Sequence, residues 1–279
     1  MKPPKIAVLG TGIIGSGIAA NLARAGLGVT VWNRTVSKAE GLGAQVADSP
    51  EEAAADADVV ITVLSDADTV ADVVRQAKPA SGTVWVQSAT VGVEGCTRLA
   101  ELAEELDLVY VDAPVLGTKG PAQAGKLTVL ASGPDSAQEV LTPVFEAVAA
   151  RTLWLGAAGA GSRLKLVVNA WVLTTVEGAA ESLALARGLG LDPQLFLDAV
   201  KDGPLDSTYL QTKGAAMLTG DLEPQFPLRG AVKDSRLIEQ AGADAGVELA
   251  LAPALREHFA RAEAHGHGHQ DMAATFLAH

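Results

Sequence analysis

A short apolar run, Lys5-Ile-Ala-Val-Leu9, passes without a break into Gly10-Thr11-Gly12-Ile13-Ile14-Gly15 and then into an amphipathic stretch that Gly26 stops. A continuous apolar run of this length suits a parallel strand covered on both faces. G-x-G-x-x-G alone is a weak signal, but between a strand and a helix each glycine has a task. Gly10 permits the tight turn, Gly12 lets the backbone approach a pyrophosphate, and Gly15 lets the helix pack on the strand. The free N–H groups and dipole of the helix N-terminus then hold the phosphates. Thr11, Ile13 and Ile14 share this turn and are candidate cofactor contacts with the three glycines.

The next strand, Gly28-Val-Thr-Val-Trp32, ends in Asn33-Arg34-Thr35. A site for NAD usually has an acidic residue here for the ribose 2′-hydroxyl. Asn33 removes that charge, Arg34 supplies a guanidinium for a 2′-phosphate, and Thr35 adds a hydroxyl, which points to NADPH/NADP+. Strands and helices then alternate: strands at 44–46, 58–64, 83–87 and 108–112, helices at 50–56, 69–77 and 93–106. Such βα units imply right-handed crossovers and a doubly wound parallel sheet. Leu64-Ser65 and Ser88 to Thr90 follow strands and so belong at the carboxyl edge, where ligands bind. After Asp112 comes a Gly/Pro-rich loop, residues 113–125, whose backbone N–H groups with Thr118 and Lys119 suit an anion. A strand at 127–131, a helix at 136–149 and a strand at 151–155 complete the first domain.

Gly159-Ala-Gly-Ser162 leads into a long apolar stretch with no proline before Pro193, which predicts a helix capped by Ser162 and running to about Arg187. About 26 residues at 1.5 Å each give about 39 Å, longer than a small domain is wide. This is a spine between two domains: 1–161, a Rossmann-type dinucleotide-binding domain, and 162–279, all-helical, with 162–188 as the interdomain helix. Lys165 and Asn169 are four apart on one helix face, among apolar neighbours. Such a lysine either snorkels to water or is kept for chemistry. Beyond Gly190 the pattern is helical only, near 209–218, 227–245, 252–264 and 270–278, with Asp192-Pro193 as a cap and first-turn proline. The tract His265-Gly-His-Gly-His269 has no helical i, i+4 pairing, so a solvated turn is expected and no metal site is assigned.

The 279 residues carry a net charge of −12, with a pI of about 4.8, which argues against nucleic-acid and anionic-membrane partners. A single cysteine, Cys96, excludes a disulfide framework and reads as an inert thiol. The first strand begins by Lys5 and no uncharged apolar run reaches membrane length, so a cytoplasmic protein is expected.

With these motifs in place the chain resembles the β-hydroxyacid dehydrogenase family, relatives of 3-hydroxyisobutyrate dehydrogenase, and within it the glyoxylate and succinic semialdehyde reductases. Four motifs carry the resemblance: Gly10 to Gly15; the substrate loop Asp112-Ala-Pro-Val-Leu-Gly-Thr-Lys to Leu127; the helix Gly159 to Ala170; and Lys233-Asp234. The resemblance implies Lys165 as catalytic lysine and Asn169 as its helper in holding substrate. It implies that Gly117 and Thr118 receive a substrate carboxylate, that Thr90 and Lys233 contact the cofactor, and that Phe226 and Asp234 flank the site. It also implies a homodimer through the helical half. Leu116 stands where the family has a substrate-binding serine, and Ala170 replaces the family's second asparagine. The expected reaction is hydride transfer between a nicotinamide and a small aldehyde, keto acid or β-hydroxyacid. Two other readings share the fold: an imine reductase, which often has the wording Val31-Trp-Asn-Arg-Thr35 but lacks the lysine, and a noncatalytic NADPH-binding protein.

Overall fold

The computed structural model describes residues 3–279. They fall into two compact units, the first ending at Lys165 and the second spanning Leu166–His279.

In the first unit the strands β1 (Lys5–Leu9), β2 (Gly28–Trp32), β3 (Gln45–Val46), β4 (Val59–Thr62), β5 (Val84–Gln87) and β6 (Val109–Asp112) form a parallel sheet in the order β3-β2-β1-β4-β5-β6. The order reverses between β1 and β4, the switch point at which such sheets bind ligands. Pairing aligns Trp32, Leu9, Thr62, Gln87 and Asp112 in one row, so the loops after these five strands leave from one edge. Four helices cross over: α1 (Ile13–Arg24), α2 (Pro50–Ala54), α3 (Ala67–Ala77) and α4 (Gly92–Glu105). Alternation along β1 serves both faces: Ile6 and Val8 join the cluster with Ile18 and Leu22, while Ala7 and Leu9 join that with Val74 and Leu99.

Residues 113–125 are not the open loop that their glycines and prolines suggest. They contain β7 (Val115–Leu116) and α5 (Lys119–Gln123). Gly117, at φ +130°, turns the chain, and α5 docks on α1, where Asn21 Nδ2 donates to the Ala122 carbonyl at 2.7 Å. A Cβ on Gly17 would lie 2.6 Å from the Ala122 carbonyl carbon, so only glycine allows this approach. The last strands also leave the main sheet. With β8 (Leu127–Ala131) and β9 (Ala149–Trp154), β7 forms a separate three-stranded sheet in the order β7-β8-β9, β9 following the helix α6 (Gln138–Val148). One isolated bridge, Asp112 to Ser132, links β6 to this sheet.

The spine is α7 (Ala160–Gly188), 29 residues long. It begins two residues before Ser162, which therefore sits in the first turn and is not the N-cap. In the second unit follow α8 (Gln194–Val200), α9 (Thr208–Thr219), α10 (Leu228–Asp244) and α11 (Ala252–Ala262). Pro193 itself takes the N-cap position of α8, one residue later than the expected cap, though Asp192 Oδ1 still accepts the Gln194 N–H at 3.0 Å. The histidine tract forms a wide turn with Gly266 at φ +94°, and the C-terminal segment is a 3₁₀ turn, Met272–Ala278, rather than an α-helix. Among the described residues no helix is long and apolar enough to cross a membrane.

Candidate active site

The glycine turn between β1 and α1 is built by exclusion. A Cβ on Gly10 would lie 2.4 Å from the Val63 carbonyl oxygen and 2.8 Å from Leu64 Cδ2, and one on Gly15 only 1.9 Å from the Gly10 carbonyl oxygen. A Cβ on Gly12 would meet nothing within 4 Å. The protein's own packing thus demands Gly10 and Gly15, whereas Gly12 leaves open space in front of the helix. No acidic residue stands in the first turn of α1 and no side chain caps it. The Thr11 hydroxyl is buried without a hydrogen-bond partner. Open room, unused N–H donors carried by Ile13 and Ile14, and an orphaned hydroxyl together fit a pyrophosphate.

At the end of β2, Asn33 does more than avoid a charge. Its Oδ1 accepts the Thr11 N–H at 3.0 Å and its Nδ2 donates to the Thr35 carbonyl at 2.9 Å. The amide therefore clamps the glycine turn to the segment that carries Arg34. Arg34 is exposed and, among the described residues, has no ion pair or hydrogen bond. Ser65 is exposed after β4, next to Asp66, whose carboxylate caps α3 by accepting the Thr69 N–H at 2.8 Å. The loop with Thr90 is stiffened by Gln87, whose side chain donates to the Ala89 carbonyl at 2.9 Å and accepts its N–H at 2.6 Å. This role of Gln87 has no sequence signal beyond its place at a strand end.

Lys165 lies on the second turn of α7, half-buried, and its Nζ donates to the Val115 carbonyl at 2.9 Å. That contact brings the ammonium to β7, the strand that continues through Leu116 into Gly117 and Thr118. Leu116 is half-buried, and Thr118 precedes α5 in extended conformation with no capping bond from its side chain. The start of α7 is pinned from beneath by Asp112, a fully buried carboxylate at the end of β6. Oδ2 accepts the Ser162 N–H and Oδ1 the Ser162 hydroxyl, each at 2.7 Å. Ser132 Oγ donates to Asp112 and accepts the Gly161 N–H at 2.9 Å. A Cβ on Gly161 would lie 2.2 Å from the Leu130 carbonyl oxygen, which makes this close seating a glycine's. Burial pushes the Asp112 carboxyl above its ordinary pKa, and the bonds from Ser162 and Ser132 pull back against it. Beside it Cys96 Sγ lies 3.6 Å from the Tyr110 hydroxyl, and burial pushes the thiol up to about 11. Cys96 is a protonated, packed thiol, as expected.

In the second unit Asn169, one turn beyond Lys165 on α7, donates from Nδ2 to Asp234 Oδ2 at 2.7 Å, both side chains being buried. Lys233 Nζ stands 3.1 Å from Asp234 Oδ1, so the carboxylate's other oxygen is held in an ion pair. Phe226 is placed by a pair that sequence reasoning does not isolate. Lys213 and Asp271, 4% and 3% exposed, meet at 2.6 Å, and Asp271 also accepts the N–H groups of Gln225 at 2.9 Å and Phe226 at 3.1 Å. A charge pair so buried stands because Asp271 accepts three backbone N–H groups in all, while the Lys213 ammonium lies 5.5 Å from the Tyr209 ring.

Known proteins resemble this chain over nearly its whole length. The family model described as the NAD binding domain of 6-phosphogluconate dehydrogenase matches residues 5–156. That described as NAD-binding of NADP-dependent 3-hydroxyisobutyrate dehydrogenase matches residues 159–278. Glyoxylate/succinic semialdehyde reductase 1 of Arabidopsis thaliana is 32% identical over 282 residues, covering 98% of this chain and 98% of its own. The crystal structure of 3-hydroxyisobutyrate dehydrogenase from Salmonella typhimurium is similar with a TM-score of 0.91 at 27% identity, covering 99% of each chain. An imine reductase from Pseudomonas sp. has a TM-score of 0.64 at 25% identity, again over 99% of each chain.

Proposed function

The chain belongs to the β-hydroxyacid dehydrogenase family, oxidoreductases that use a nicotinamide cofactor, and on that premise we propose that it is an NADPH-dependent reductase of small aldehydes or keto acids, with Lys165 as its acid. The observation that carries this reading is the Lys165 ammonium at 2.9 Å from the Val115 carbonyl, on a helix start that Asp112 pins. A lysine doing no chemistry would not need so braced a helix start beneath it.

When bound, the nicotinamide supplies the hydrogen and electron pair that reduce the carbonyl carbon. Charge grows on the carbonyl oxygen as this occurs, and Lys165 Nζ meets it with a cation and then yields a proton, general acid catalysis worth about 10²- to 10⁴-fold. An ammonium has three N–H donors, and the bond to Val115 sets the direction of one of them. Asn169 has one amide hydrogen on Asp234, and its second orients the substrate. The N–H groups of Gly117 and Thr118 receive the substrate's carboxylate, Leu116 presents an apolar wall beside it, and Phe226 and Asp234 flank the site. Arg34 takes the 2′-phosphate, Gly10 to Gly15 the pyrophosphate, and Thr35, Leu64, Ser65, Thr90 and Lys233 complete the cofactor contacts.

A cytoplasmic homodimer through the helical domain is part of the proposal. It is supported by large apolar side chains left in water, Trp171 at 70%, Leu189 at 69% and Leu185 at 63% exposure.

The test is turnover of NADPH and NADH with glyoxylate, succinic semialdehyde, an uncharged aldehyde and a cyclic imine, in the parent and in Lys165→Ala. The proposal expects carbonyl reduction with NADPH and loss of most of kcat in the variant at near-normal NADPH affinity. Reduction of the imine alone would make the protein an imine reductase. Binding of NADPH without turnover of any substrate would make it a noncatalytic binding protein.

A further inference from the structure

Three side chains of the second unit that the proposed reaction does not use converge on one point. Glu177 on α7, His258 on α11 and His279 after the C-terminal 3₁₀ turn each offer one ligand atom, all within 4.8 Å of one another. Glu177 Oε1 lies 2.8 Å from His258 Nδ1 and 2.8 Å from His279 Nε2, and the two ring nitrogens are 3.4 Å apart. The Glu177 side chain is 4% exposed, against 24% for His258 and 12% for His279. A carboxylate so far out of water stands only when strongly partnered. Its other oxygen, Oε2, accepts the Thr275 hydroxyl at 2.7 Å, which fixes the carboxylate plane while Oε1 faces the imidazoles.

We propose that Glu177, His258 and His279 form a site for a divalent transition metal, with zinc the ion that their chemistry fits best. Two imidazoles and one carboxylate are a zinc donor set that leaves the fourth position to water. Tetrahedral bonds of about 2.0–2.1 Å set ligand atoms about 3.3–3.4 Å apart, the separation already present between the two ring nitrogens. The two shorter contacts to Oε1 open by roughly half an ångström to admit the ion, a shift within the reach of side-chain torsions. Thr275 then plays the part that outer hydrogen bonds play at metal sites, holding the carboxylate in register. Arg261 Nη2, on an exposed residue, lies 3.4 Å from His258 Nδ1 and 3.3 Å from its Nε2, and must swing into solvent for Nδ1 to take the ion. The ligands come from three separate segments, so the ion ties α7 to α11 and to the chain's last turn. The tract His265 to His269 contributes none of them.

Zinc is titrated calorimetrically into metal-free protein spanning residues 1–279 and carrying no histidine tag. One ion per chain is expected, with affinity weakened by about tenfold or more in Glu177→Gln and in His258→Ala. The triple substitution His265→Ala, His267→Ala and His269→Ala is expected to leave affinity unchanged. Cobalt in place of zinc should give the visible bands of tetrahedral coordination in the parent and lose them in the first two variants. Where those variants fail to fold by circular dichroism, His279→Ala, which removes one ring next to the chain's end, gives the same reading. A parent that binds no zinc overturns the proposal. So does binding that survives Glu177→Gln or His279→Ala, and so does binding lost only with the tract. Neither measurement depends on turnover, so failure here is separable from failure of the reductase reading.

Discussion

Asp112→Ala tests whether the helix carrying Lys165 is held by a buried carboxylate. The substitution removes the acceptor for the Ser162 N–H and that for the Ser162 hydroxyl, each now at 2.7 Å. A buried donor left without a partner costs about 1–3 kcal/mol, and removing the carboxylate also returns part of its desolvation cost. The net loss is therefore about 3 kcal/mol, or about 6–12 °C in Tm at 2–4 °C per kcal/mol for a chain of this size. Asp112→Asn is the control. Its oxygen keeps the Ser162 N–H and its amide can donate to the Ser162 hydroxyl, so it should lose about 1 kcal/mol or less. Lys165 is three residues beyond Ser162, so the alanine variant should also lose kcat while its KM for NADPH holds. The pH dependence has a definite sign. Burial raises the Asp112 carboxyl, so the folded chain holds that proton more tightly than the unfolded one. The parent then loses stability as pH climbs from the ordinary carboxylate pKa through the raised one, and the asparagine variant lacks this slope. Melting by circular dichroism and steady-state kinetics measure both effects. Equal Tm losses in the alanine and asparagine variants, or an alanine variant melting with the parent, would refute the reasoning.

Arg34→Ala should erase most of a ten- to hundredfold preference for NADPH, since a charge-assisted bond is worth about 1.5–3 kcal/mol; kcat/KM with both cofactors measures it. Leu116→Ser restores a hydroxyl beside the carboxylate's place, and should lower KM for glyoxylate by about tenfold while raising that for an uncharged aldehyde, as initial rates will read. Cys96, with a thiol at about 11, should resist iodoacetamide at pH 8 until the protein unfolds, followed by mass spectrometry of the modified thiol. Lys213→Met leaves Asp271 buried and unpaired and should cost about 3–5 kcal/mol in a denaturant titration.

Much of this protein is written locally. The strand–turn–helix at Lys5 to Arg24, the alternation that follows it and the helical half depend on periodicity and on the two punctuating residues, glycine and proline. Those signals act over a few residues, and so a linear reading finds them. The parallel sheet, the long helix, the glycine turn and the placing of Lys165 and Asn169 one turn apart on that helix were all legible in this way, and the family motifs supplied the remaining candidate site residues. Other features were decided by contacts between residues far apart in sequence. Residues 113–125 read as loop because glycine and proline disfavour regular structure in isolation, yet packing of α5 against Gly17 and Asn21 imposes a strand and a helix there. Ser162 has the local credentials of an N-cap. Asp112, 50 residues earlier, satisfies the same N–H from its side chain, and α7 begins sooner. The clamp of Asn33 on Thr11, the pair of Lys213 with Asp271, and the meeting of Glu177 with His258 and His279 have no sequence signature. Each joins ordinary residues whose only shared property is that burial leaves them one another as partners. Burial is a property of the folded whole, because desolvation acts on a group only once distant segments close over it.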